Sequence, residues 1–199
     1  MFKKLAFLAS IVALTVGCHK QPATSSGPIV AKTPEVAAKP EPPKFEVVKP
    51  KKAAPPFNLE ATDGWSLVNY VDLPADAKEP QLMAIFENDL DEETSVRAAV
   101  IAANLTPEEA ASFLDDVRAE ANGRDNAKVL KERIVRLDGT RAYELIEVRM
   151  TSSGVQMFVT LAVTSGKLGF VISCGGAAED GERILPICAE FVEGFRVRK

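Results

Sequence analysis

Turn signals at Asp138-Gly139, Ser152-Ser153-Gly154 and Ser165-Gly166 constrain this chain more tightly than any other feature of it. They separate four strand-like runs: Ala127 to Leu137, Arg141 to Thr151, Val155 to Thr164 and Leu168 to Cys174. Gaps this short, rich in Gly, Ser and Asp, are hairpin connections. Only antiparallel neighbours can be joined so closely, because a parallel pair needs a crossover of about a dozen residues or more. The runs therefore predict a four-stranded antiparallel meander. Phe158, Leu161, Val163, Phe170 and Ile172 offer it a core face.

The flanking residues add helices and further strands. Thr106 is placed to cap a helix, Pro107 suits its first position, and Glu109 completes a capping box. Ala110, Phe113, Leu114, Val117 and Ala121 then recur at helical spacing, and Gly123 is placed to stop the helix. Upstream, Trp65 to Val71, Gln81 to Phe86 and Ser95 to Ala103 read as strands. Downstream, Ile184, Ile187, Cys188, Phe191, Val192 and Phe195 lie on one helical stripe, with Pro186 expected in the first turn. A mostly antiparallel sheet packed against two helices makes an α+β domain. It occupies residues 57–199, a normal size for a single core.

The first 56 residues have a different composition. Lys3 and Lys4 precede an apolar run from Leu5 to Val16, then Gly17-Cys18. That is the layout of a secretory signal peptide over residues 1–17, and the run is shorter than the about 20 residues that span a bilayer. Leu14-Thr15-Val16-Gly17-Cys18 resembles the lipobox of bacterial lipoproteins, although Thr15 stands where Leu is usual. The resemblance implies lipidation of Cys18 with a diacylglycerol and palmitate-type acyl chains. Such chains together form a stable membrane anchor. No Asp follows Cys18, and the resemblance then implies the periplasmic face of the outer membrane in a Gram-negative host.

Residues 18–56 read as the lipidated Cys and a disordered tether. Nine of the 13 prolines lie here, among Lys and Ala. Such a segment buries too little apolar surface to offset its ordering entropy. Extended as polyproline II it reaches about 100 Å. The first 56 residues carry a charge of +6 in a chain of net −4, which leaves −10 on residues 57–199. A domain so acidic lacks the basic footprint of a nucleic-acid binder. The basic tether reads as a solvated linker, or as an arm drawn to anionic lipid.

The order of elements in residues 57–199 resembles the PsbP-like superfamily. The Gly64-Trp65 step into a strand is similar to that family's opening, and Phe191-Val192-Glu193-Gly194-Phe195-Arg196 to its closing helix, with Gly194 where Ser is usual. The superfamily includes DcrB-like bacterial lipoproteins, and its members mostly bind partners. The resemblance thus implies a non-enzymatic accessory role and transfers no binding residue.

Few residues in the domain offer chemistry. His19, the chain's single His, lies in the tether, so no Ser-His-Asp or Cys-His arrangement fits within the domain. Cys174 and Cys188 are expected to form a disulfide, the default for such a pair after export. Metal ligation there would need partners, and redox chemistry favours a C-x-x-C spacing. The acidic run Glu87, Asp89, Asp91, Glu92 and Glu93 would suit a hard cation, but reads first as a solvated connection. Trp65 reads as core packing before ligand stacking. No catalytic residue, metal site or cofactor is assigned. The expected function is a membrane-anchored periplasmic module that binds a protein partner or envelope component, with carriage of a small apolar ligand as the alternative.

Overall fold

The computed structural model describes residues 55–59, 64–77, 79–91 and 94–198. The fold begins with β1 (Phe57–Leu59), β2 (Trp65–Tyr70), β3 (Gln81–Asp89) and β4 (Ser95–Asn104). Helix α1 (Pro107–Asn122) follows, then β5 (Ala127–Leu137), β6 (Thr140–Thr151), β7 (Gly154–Ser165) and β8 (Leu168–Ala177). Helix α2 (Gly181–Glu193) and β9 (Phe195–Val197) end it. Seven strands form one sheet in the order β2-β3-β4-β8-β7-β6-β5, with every pair antiparallel. The domain is thus α+β, a mostly antiparallel sheet with two helices.

Local chemistry sets the hairpins. Asp138 and Gly139 join β5 to β6 with φ of 49° and 81°, both in the left-handed region. Positive φ at both positions is the type I′ turn, which suits Asp-Gly and matches the twist of the strands. Leu137 faces Thr140 across that turn, Thr151 faces Gly154 across the next, and Ser165 faces Leu168 across the third.

Because strand side chains alternate, the sheet has two separate cores. Ala98, Val100 and Ala102 of β4 join a cluster with Ile184, Cys188, Phe191 and Val192 of α2. Ile101, between them, joins Phe113, Val117 and Ala121 of α1 on the other face. The glycines of β8 let both helices sit close: a Cβ at Gly169 would lie 2.8 Å from the Phe113 ring, and one at Gly176 2.8 Å from Ile184. Covering both faces explains why β4, β7 and β8 carry almost unbroken buried runs rather than simple alternation.

Helix α1 starts as its sequence dictates. The Thr106 side chain accepts from Glu109 N at 3.2 Å, and Glu109 accepts from Thr106 N at 2.8 Å. Its end differs from expectation. Gly123 has φ of −89°, not the left-handed value of a glycine stop, and its N–H bonds the Ala119 and Glu120 carbonyls. Helix α2 departs further. It begins at Gly181, so Pro186 lies inside the helix, in the second turn rather than the first. Pro186 is exposed there. Phe195 is not on the helical stripe. Gly194 ends the helix, and Phe195 enters β9, paired with Leu59 of β1. It is still fully buried, stacked 5.3 Å from Phe57 and tilted against Phe170 at 5.7 Å.

Candidate functional site

Cys174, on the α2 face of β8, is bonded to Cys188 of α2, with Cα atoms 5.3 Å apart. Both are buried, so the bond ties helix to sheet inside the core. Trp65 lies in the same core, its ring 4.4 Å from that of Phe191. Cys18, His19 and the tether as far as residue 54 lie outside the described residues, as do Glu92 and Glu93 of the acidic run.

The described part of that run does not converge. Glu87 pairs with Arg97 across β3 and β4 at 2.5 Å. Asp91 accepts from Arg183 at 2.6 Å and from Thr94 N at 2.7 Å. Among the described residues no group of three or more His, Cys, Asp or Glu is placed to hold a metal ion. No described helix is long and apolar enough to cross a membrane.

Charge is instead organised in a buried network that the sequence reading missed. Glu147 of β6 is fully buried on the α1 side of the sheet. Arg124, just past α1, donates through Nη1 to both carboxylate oxygens, at 2.9 and 3.1 Å, and its Nη2 lies 3.5 Å from Glu120. Arg149 also pairs with Glu147, and its guanidinium lies 4.6 Å over the Phe158 ring. Burial pulls the Arg149 pKa down, against the raising effect of Glu147. The Nε atoms of Arg124 and Arg149 are buried with no hydrogen-bond partner among the described residues. Two cations and two carboxylates make a neutral unit that holds the end of α1 to the sheet. A Glu and an Arg two apart in a strand share a face, and that spacing was the available signal.

Apart from this network, a carboxylate with a displaced pKa among the described residues is Glu132 of β5. The hydrogen bond from Arg118, then that from the Tyr143 hydroxyl, hold its pKa down to about 2. Burial chiefly, with Glu132, raises Tyr143. A carboxylate held this low is a poor general acid or base near neutral pH.

Two surface features remain. An open cleft of about 360 Å³ lies between the end of α2 and the β5–β6 hairpin. Its floor is Val135, Leu137, Leu161 and Val192. Its rim is ionic, with Arg133 on Glu144 at 2.7 Å and Arg196 3.4 Å from Asp138. The second feature is the outer edge of the sheet at β2. Leu67, Val68 and Val71 are 53%, 54% and 52% exposed, and Leu82 of β3 is exposed beside them. The strand slips register between Leu67 and Asn69, which leaves Val68 as an extra, bulged residue.

No family model matches the chain. No curated protein matches it either. Among solved structures it is similar to LpqN, described as involved in cell envelope biogenesis of Mycobacterium tuberculosis, with a TM-score of 0.52 and 12% identity over 72% of this chain and 83% of that one. It also aligns with the cyanobacterial PsbP of Synechocystis sp. PCC 6803, at a TM-score of 0.47 and 14% identity over 71% and 86% of the two chains. A Pseudomonas aeruginosa protein of unknown function, described as a putative regulator, aligns at a TM-score of 0.49 and 12% identity, over 65% and 94%. The likeness to LpqN is one of fold.

Proposed function

We propose that this chain is a lipid-anchored envelope protein of PsbP-like fold. It is held through Cys18 at the periplasmic face of the outer membrane, and its domain acts as a non-enzymatic binding module for a protein partner. The observation that carries this reading is the apolar edge at β2. An outer strand presents unpaired backbone N–H and C=O groups, and soluble proteins normally guard such edges with charge or cover. Here Leu67 and Val68 are exposed in a strand, Trp65–Tyr70, that contains no charged residue, and Val71 is exposed just after it. Exposed apolar side chains gathered at one place mark interaction sites. A protein strand added there would satisfy the edge while covering those side chains.

The other readings have less behind them. A carrier of an apolar ligand calls for an enclosed apolar cavity, and the α2 cleft is open and rimmed by ion pairs. Catalysis by paired carboxylates calls for two of them converging in a cleft, and Glu87, Asp91, Glu132, Glu144 and Glu147 are each tied to an arginine instead.

A photocrosslinker at Val68, expressed in the full chain in its own host, tests the proposal. The expected result is a discrete protein adduct from Val68 and none from a control at Glu182, on the exposed side of α2. No adduct from Val68, or equal adducts from both, would contradict it.

A further inference from the structure

We propose that the partner of the β2 edge is the β5 edge of a second copy of this chain, so that copies associate head to tail, sheet edge to sheet edge. The inference rests on the reading of β2 as a binding edge. β2 and β5 are the two outer strands of the seven-stranded sheet. Each carries exposed apolar residues in mid-strand, Leu67 and Val68 on β2, Leu130 and Ile134 on β5. Each also has one register slip there, between Leu67 and Asn69 on β2 and between Val129 and Lys131 on β5.

The β5 edge is basic, and the residues flanking the uncharged β2 strand are acidic. β5 holds Lys128, Lys131, Arg133 and Arg136 against Glu132. Residues 64–91, which make the β2 side, hold six carboxylates against one lysine. Some of these charges are paired within the domain: Arg133 with Glu144, Glu87 with Arg97, Asp91 with Arg183. The charges then offered to a neighbour are Lys128 and Lys131 on one edge, and Asp72, Asp76 and Asp89 on the other.

This asymmetry favours one pairing of three. β5 against β5 sets lysines against lysines, whereas β2 carries no charge of its own and is followed by the carboxylates Asp72 and Asp76, which suit a basic neighbour. Like charges directly opposite destabilise strand pairs, and opposite charges stabilise them. Edge lysines and bulges are the means by which proteins block indiscriminate pairing. Here the lysines reject β5 against β5, and the acidic segment after β2 favours a basic β5 edge as its neighbour. Such a contact joins two different surfaces, so each copy keeps one free edge and growth continues past the dimer unless a ring closes.

The test uses the full chain carrying Cys18→Ser, so that no acyl chain contributes, and reads mass by sedimentation. At low salt the mass is expected to grow beyond the dimer with concentration, and to return to the monomer in about 0.5 M salt, where screening acts within a few ångströms. Lys128→Glu with Lys131→Glu is expected to abolish growth, and adding Asp72→Lys with Asp76→Lys to that variant to restore it. Unchanged urea midpoints show that the variants fold. Three outcomes overturn the inference: a monomer at every concentration, a mass that stops at the symmetric dimer, or growth indifferent to the charge exchange. A monomer whose Val68 still crosslinks to another protein loses this inference alone. A monomer whose Val68 crosslinks to nothing loses the binding edge as well.

Discussion

Glu147 shows how a single buried residue can organise one end of the domain. It has lost all contact with solvent, and two guanidiniums, those of Arg124 and Arg149, meet its carboxylate. A buried ion pair gives modest net stability, because desolvation offsets its attraction. Removing one partner is another matter, since the rest stay buried without a counter-charge. Glu147→Ala is therefore expected to destabilise the domain by about 3–5 kcal/mol. Urea unfolding measures it, and a loss under about 1 kcal/mol, the scale of a surface pair, would mean that the arginines find water instead. In the sequence, Glu147 and Arg149 look like the polar face of a strand. Their burial depends on Arg124 folding down from the end of α1, a contact 23 positions away that no local pattern records. Trp65 was legible because an apolar ring at a strand start has few other places to go. The acidic run reads as a solvated connection in the sequence, but Glu87 and Asp89 belong to β3, and Glu87 and Asp91 are ion-paired.

Elements fixed by local chemistry were readable, and those fixed by distant contacts were not. The capping box of Thr106 and Glu109 and the short turns of the β5–β8 run contain their own instructions. β1 and β9 are three residues each and exist only because Phe57 and Val197, far apart in sequence, pair. Phe195 keeps helical spacing with Phe191 and Val192, so periodicity alone assigned it to α2. Gly194 breaks the helix first, and the aromatic stack with Phe57 draws Phe195 into β9. Helix α2 itself depends on its tie to β8. Cys174 and Cys188 close a loop with a sequence separation of 14. Cys174→Ala with Cys188→Ala is expected to cost about 3 kcal/mol from loop entropy. Calorimetry that finds equal melting temperatures for variant and parent would remove that role from the bond.

The whole sequence unites an acidic domain with a basic, proline-rich N-terminal region. The two open edges of the sheet give the domain a direction, one side apolar and acidic, the other apolar and basic. That polarity could not be read before the strand order was known, because the end of β2, Tyr70, and the start of β5, Ala127, are 57 positions apart. A tether anchored at Cys18 would confine such domains to one surface, where weak edge contacts gain from high local concentration. The address and the edge meet in one measurement: native mass spectrometry of the full-length protein, gently extracted from its own host's membranes. The account predicts a mass that begins at Cys18, is raised by acyl chains, lacks the hydrogens lost to the Cys174–Cys188 bond, and carries further copies of itself. Cys18→Ser, in the same preparation, should leave the membrane fraction empty of the protein. A bare, unacylated monomer recovered from the membranes, or a Cys18→Ser variant that stays with them, would contradict the account.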